Sequence, residues 1–124
     1  MDKLHTVKKS REFANIIHNG RFFKNNSYVI YYKDNELNNY RFGISVSKKL
    51  GNAVCRNKYK RQLRTIIDKY KKNYQNSTDY IIIIRDGFIR NDFTIKDKDY
   101  ISLIDKINIS NKEIRWKTQK RKYY

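Results

Sequence analysis

The sequence predicts an α+β fold in which helices pack on a small mixed sheet, in the order α-β-β-α-β-α. Three stretches carry that expectation. Phe42, Ile44 and Val46 alternate with Arg41, Gly43 and Ser45, the period of a strand with one covered face. Tyr59, Leu63, Ile66, Ile67, Tyr70 and Tyr74 share one arc at helical spacing. Tyr80–Ile84 is an unbroken apolar run, as in an inner strand covered on both sides.

The elements follow in order. Residues 1–9 are basic and aperiodic and are expected to form a loose extended arm. Ser10 offers a hydroxyl to cap a first turn, and Glu12 sits where a helix dipole favours an anion. Phe13, Ile16 and Ile17 then give an amphipathic helix over 11–19, stopped at Gly20. Tyr28–Tyr32 is β-branched and aromatic, a strand by composition. The polar segment Lys33–Asn39 is expected to be the hairpin loop leading into the 41–46 strand. After the turn Leu50-Gly51-Asn52 comes the principal helix. Residues 73–78 form a polar break before the apolar strand, and Ile101, Leu103, Ile104 and Ile107 mark a last helix over 97–107. The tail 112–124 holds six Lys/Arg around Trp116 and is expected to be loose or a helical extension. With 124 residues, one domain of 1–124 is expected.

Charge narrows the function. The chain has 29 Lys+Arg against 12 Asp+Glu, a net charge of +17, which works against compaction and suits a polyanionic partner. The excess is concentrated: between Lys48 and Arg64 lie seven cations and no acid. Lys48, Lys49, Arg56, Lys58, Lys60, Arg61 and Arg64, with Asn52 and Asn57, are the candidate nucleic-acid-binding residues. Such side chains neutralise phosphates and release counterions, and arginine can grip two phosphate oxygens at once. A solvated helix face is the competing reading, weakened because no Asp or Glu is interleaved before Asp68. Arg56 falls near the apolar arc, so it belongs in the first turn or across a crevice. At the turn, Gly51 permits an unusual backbone and Asn52 can cap the helix, leaving amides able to hold a phosphate.

A second constellation is apolar. Phe13, Ile17, Val29, Tyr31 and Ile83 suit either plain core or a crevice on which single-stranded bases stack. Spacing alone favours core. Catalytic or metal-binding sets are not evident. Asp79, Asp86, Asp92, Asp97 and Asp99 lack a spacing that unites them, and Cys55, the single cysteine, is expected to be a buried thiol. One cysteine permits no internal disulfide and fits a reducing cytoplasm. The N-terminus has no apolar signal-like core, and no run approaches a membrane span, so no membrane partner is expected.

The segment FGISVSKKLGNAVCRNKYKRQLR resembles the signature of the bacterial ribonuclease P protein component. That family carries G-x-S-V-S-K-K followed by G-N-A-V-x-R-N-R-x-K-R-x-x-R. Gly43, Ser45, Val46, Ser47, Lys48, Lys49, Gly51, Asn52, Ala53, Val54, Arg56, Asn57, Lys60, Arg61 and Arg64 all match, and the likeness extends over about residues 4–86. Two positions depart from the pattern: Lys58 replaces an arginine, and Ile17 stands where a phenylalanine is common. The resemblance implies a two-layer, ribosomal-protein-like fold with a left-handed βαβ crossover, whereas physical priors alone favour a right-handed one. It implies a protein subunit that binds a catalytic RNA through residues 48–64 and holds the single-stranded 5′ leader of precursor tRNA. The leader cleft would comprise Phe13, Ile17, Val29, Tyr31 and Ile83. Magnesium ions would be held mainly by the RNA, with none bound by the protein alone, and no obligate protein partner is implied. A structural, ribosomal-type RNA-binding protein is the alternative.

Overall fold

The computed structural model describes residues 5–123, with side chains described through residue 113. The elements are α1 (Ser10–Asn19), β1 (Arg21–Lys24), β2 (Tyr28–Asp34), β3 (Arg41–Val46), α2 (Ala53–Lys69), β4 (Thr78–Ile84), α3 (Asp86–Arg90) and α4 (Phe93–Tyr123). The four strands form one mixed sheet in the order β1-β2-β4-β3. β4 pairs antiparallel with β2 and parallel with β3.

This order corrects the expected hairpin. β2 and β3 do not pair, because β4 lies between them, and the tight antiparallel connection is instead β1 to β2. The reason is burial. β4 is the most apolar strand, and the centre of a sheet is where both of its faces are covered; Tyr80, Ile81 and Ile82 are fully buried there. Residues 35–40 therefore cross two strand spacings, about 10 Å, rather than turning tightly.

The strand alternation sorts side chains onto two unlike faces. On one, Tyr28, Ile30, Tyr32, Phe42, Tyr80, Ile82 and Ile84 pack under Leu63, Ile66 and Ile67 of α2 and Tyr100, Leu103, Ile104 and Ile107 of α4. Phe88 of α3 closes this core, edge-on to Tyr28 at 5.6 Å. The tyrosines keep their hydroxyls bonded: Tyr28 donates to the Lys96 carbonyl at 2.7 Å, and the Tyr74 and Tyr100 hydroxyls meet at 2.6 Å. Burial pushes all three phenols well above their ordinary pKa, so they stay protonated.

The opposite face carries Val29, Tyr31, Ile81 and Ile83, partly covered by α1. Ile16 of α1 is buried against Ile81 and Val7. An ion-pair network fastens the helix: Arg41 donates to both Asp79 oxygens at 2.8 and 2.7 Å and to Glu12 at 2.9 Å. Asp79 also accepts from Asn35 at 2.7 Å. This network places Glu12, on the first turn of α1, over the sheet.

Several boundaries moved. The first helix begins at Ser10 itself, with Lys9 at the cap and no side-chain cap bond. The Gly20 amide bonds the Ile16 carbonyl at 2.8 Å and ends it. The basic N-terminal arm is tied down at its end: Thr6 bridges Phe42, and the Val7 amide bonds the Phe42 carbonyl at 2.8 Å. Residues 1–4 of that expected arm lie outside the described residues. The last helix starts earlier and runs much further than 97–107, through Tyr123, so the helical-extension form of the tail is the one adopted. Cys55 is half-buried rather than fully buried. No helix among the described residues is long and apolar enough to cross a membrane.

Candidate nucleic-acid interface

The connection from β3 to α2 builds the cationic surface. Beyond Val46 the chain makes a single helical turn over Lys48–Leu50, in which the Ser47 hydroxyl accepts from the Lys49 amide at 3.2 Å. Gly51 follows at φ +148°, a conformation that L side chains rarely adopt, and an added Cβ would lie 3.0 Å from the Cys55 Cβ. Asn52 caps α2: its side chain accepts from the Cys55 amide at 2.9 Å, and its carbonyl from the Arg56 amide at 2.9 Å. The amides of Ala53 and Val54 remain at the helix tip, where the dipole favours an anion.

Lys48, Lys49, Asn52, Asn57, Lys58, Arg61 and Arg64 are exposed, while Lys60 and Arg56 are half-buried. None of the seven cations forms an ion pair among the described residues, whose salt bridges are Arg41 with Glu12 and Asp79, Lys69 with Asp97, and Arg90 with Asp86. Arg56 sits in the first turn of α2, as its place on the apolar arc requires. Its Nε is buried without a hydrogen-bond partner. A buried donor left unpaired is costly, and an acceptor from a bound partner relieves it.

Lys60 and Arg64 are one helical turn apart and face the same way. They line a groove of about 410 Å³ with Thr6, Val7, Phe13, Phe42, Gly43 and Ile44. Lys58 is not part of this group. Its charge acts instead on Lys96 of α4, whose ammonium lies over the Phe88 ring at 4.3 Å and is bonded to Gln62 at 2.9 Å. Burial lowers the Lys96 pKa, and the nearby Lys58 charge lowers it further.

Of the five expected cleft residues, Val29, Tyr31 and Ile83 lie on the sheet face that α1 only partly covers, and Phe13 and Ile17 come from α1 itself. Phe13, Ile17, Tyr31 and Ile83 border the small cluster around Ile16 and Ile81, and Val29 pairs directly with Ile83. All five are half-buried, open to solvent on one side. Gly43 is what lets the Phe13 ring pack close against β3, since a Cβ there would stand 2.6 Å from the Phe13 ring and 2.7 Å from Ile81. Phe13 lines the same groove as Lys60 and Arg64, so the apolar cleft and the cationic helix are continuous.

The five aspartates weighed as catalytic candidates are dispersed in structural roles. Asp79 binds Arg41, Asp86 pairs with Arg90, Asp92 accepts from the Ile95 amide, Asp97 pairs with Lys69, and Asp99 accepts from Ser27. Among the described residues no group of three or more His, Cys, Asp or Glu is arranged to hold a metal. Sequence reading missed two features of this surface. Lys96 carries no signal of its own in the sequence; only its place on the buried arc of α4, between Asp92 and Tyr100, could have singled it out. Phe22, on the short β1, was hidden because four residues after Gly20 are too few to show a strand period.

Comparison with known proteins places this geometry. A family model described as Ribonuclease P matches residues 1–108. The chain is similar to the ribonuclease P protein component of Syntrophomonas wolfei, at 37% identity over 88% of this chain and 92% of the relative. It is 44% identical to that of Mesoplasma florum over 79% and 90% of the two chains. Among solved structures, a Staphylococcus aureus RNase P protein mutant described as defective in mRNA degradation superposes with a TM-score of 0.79 at 32% identity, covering 86% of this chain and 90% of the other. An open apolar sheet face beside a run of unpaired cations is thus found in a chain that belongs to the ribonuclease P protein family.

Proposed function

We propose that this chain is the protein subunit of a ribonucleoprotein endonuclease that removes the 5′ leader from precursor tRNA in the cytoplasm. The observation that carries the reading is the single groove shared by Phe13, Lys60 and Arg64, which joins an open apolar face to unpaired cations. A single-stranded nucleic acid needs both: faces on which bases stack, and charge along its phosphates. The catalytic RNA is assigned to the Lys48–Arg64 surface, where Arg56 and the capped tip of α2 offer donors to phosphate. The leader is assigned to the cleft of Phe13, Ile17, Val29, Tyr31 and Ile83. In this reading the RNA carries the reaction centre and holds most of the magnesium, and the protein acts by position and charge. It screens repulsion between two RNAs and raises affinity for leader-bearing substrate.

The test is single-turnover cleavage of precursor tRNA at low magnesium, with the protein alone, with a bacterial RNase P RNA alone, and with both. Cleavage in the combined reaction only is the expected result. No enhancement by the protein would favour a structural RNA-binding protein of ribosomal type. Cleavage by the protein alone would make it a nuclease in its own right, an arm given weight by the description of the Staphylococcus aureus mutant through mRNA degradation.

A further inference from the structure

The open sheet face does not end at Tyr31. In the β1–β2 register Phe22 stands opposite Tyr31, and Lys24 opposite Val29, so both project to the same side as the cleft. Phe23, between them, turns the other way and stacks on Tyr32 in the core with ring centroids 6.1 Å apart. Two consecutive phenylalanines therefore have opposite fates. Phe23 is packed, while Phe22 is 50% exposed.

A lone exposed apolar side chain is ordinary. Phe22 is not alone. Its ring lies 5.3 Å from that of Tyr31, tilted by 41°, so the two rings make one continuous aromatic surface at the sheet margin. From α1 the cleft receives one ring, Phe13, and the aliphatic Ile17. Phe22 adds a ring from the other side. Lys24, exposed and on the same face, provides a cation where a phosphate would follow a base stacked on that pair. The combination of exposed ring, ring neighbour and adjacent cation is what sequence-tolerant single-strand binding uses.

We propose that Phe22 and Tyr31 together form a base-stacking platform for an additional nucleotide of single-stranded RNA, with Lys24 on its phosphate. The platform extends the leader track to the β1 edge of the sheet. This inference rests on the leader-cleft reading above and deepens it: the track does not stop at the residues near α1, and leaders long enough to cross β2 gain a contact that short ones lack.

The experiment uses the full chain reconstituted with a bacterial RNase P RNA, and measures binding of mature tRNA and of precursors with leaders of increasing length. Phe22→Ala is expected to weaken long-leader precursors roughly 5- to 100-fold, the range of one lost base stack. Short-leader precursors and mature tRNA are expected to bind as before. Phe22→Trp restores the long-leader advantage and Phe22→Leu does not, which separates stacking from plain apolar cover. A Phe22→Leu protein that binds like the unaltered one overturns the proposal, as does a Phe22→Ala loss shared equally by mature tRNA. If Phe22→Ala has no effect while Tyr31→Ala still removes leader dependence, the added platform is wrong and the cleft stands. If Tyr31→Ala also leaves leader dependence intact, the cleft reading fails with it.

Discussion

Ile82 and Ile83 are neighbours on one strand and have different work. Ile82 is wholly buried beneath α2 and α4; Ile83, pointing the other way, is half-open beside Val29 and α1. The whole sheet repeats this contrast. One face is sealed by two helices and by buried tyrosines, Tyr28, Tyr32, Tyr80 and Tyr100, whose hydroxyls are hydrogen-bonded, and the other is roofed only in part by a ten-residue helix. A sheet that needed only stability would cover both. Leaving aromatic and β-branched side chains half-exposed beside unpaired cations is what a binding surface for single-stranded RNA requires.

The largest effect that sharpens the contrast comes from exchanging these two isoleucines in turn. Ile82→Ala should lower unfolding stability by about 2–5 kcal/mol, the cost of a buried cavity. Ile83→Ala should cost much less stability and instead reduce the affinity of the holoenzyme for precursor tRNA. Denaturant unfolding and precursor binding on both variants check this, and equal stability losses would dissolve the distinction between the faces.

Next in size is the network that holds α1 over the open face. Arg41→Ala strips Asp79, whose side chain is only 7% exposed, of its bidentate partner. The expected loss is about 3 kcal/mol, as for a broken buried pair. Because Glu12 loses its anchor too, precursor binding should weaken beyond what the stability change explains. Full precursor affinity in a folded Arg41→Ala protein would show that α1 needs no such strut.

On the cationic side, Arg64→Ala should leave stability within about 0.5 kcal/mol, since the residue is exposed. Its mark should be on RNA binding, with the slope of log affinity against log salt reduced by roughly one phosphate contact. An unchanged slope removes Arg64 from the interface.

The smallest effect belongs to the sealed face. Burial raises the Asp97 carboxyl, but hydrogen bonds from Lys69 and Tyr70, with the Lys69 charge, outweigh it and hold the group below its ordinary value. A carboxyl depressed in the fold contributes stability above its unfolded pKa of about 4 and loses it as pH falls through the folded one. The stability gap between the unaltered protein and Asp97→Asn should therefore be constant near neutrality and shrink below about pH 4. A gap that widens in acid would reverse the sign.

Much of this was legible in the chain, for physical reasons that differ by element. α2 announced itself because its apolar arc, cap and cations are all local. β4 was legible because five apolar residues in a row suit only the middle of a sheet. The pairing of β2 with β4 was not, since the loop after Asp34 permits either a tight turn or a crossing, and only competition for the centre decides. β1 is too short to show a period, and Phe22 was hidden with it. The roles of Asp79 and Asp97 depend on partners 38 and 28 residues away, Arg41 and Lys69, which no local spacing reveals. In the cleft, spacing alone spoke for core; the five residues are half core, and the open half is visible only once α1 is seen to cover part of the face.

Where the leader lies on the protein can be mapped directly. A photoreactive nucleotide placed in the leader of precursor tRNA, bound to the reconstituted holoenzyme and cross-linked, can be located by peptide mass spectrometry. Adducts are expected on the open face, in peptides carrying Val29–Tyr31, Ile83 and Phe13. Adducts confined to α4, or to the RNA with none on the protein, would contradict the leader-cleft reading.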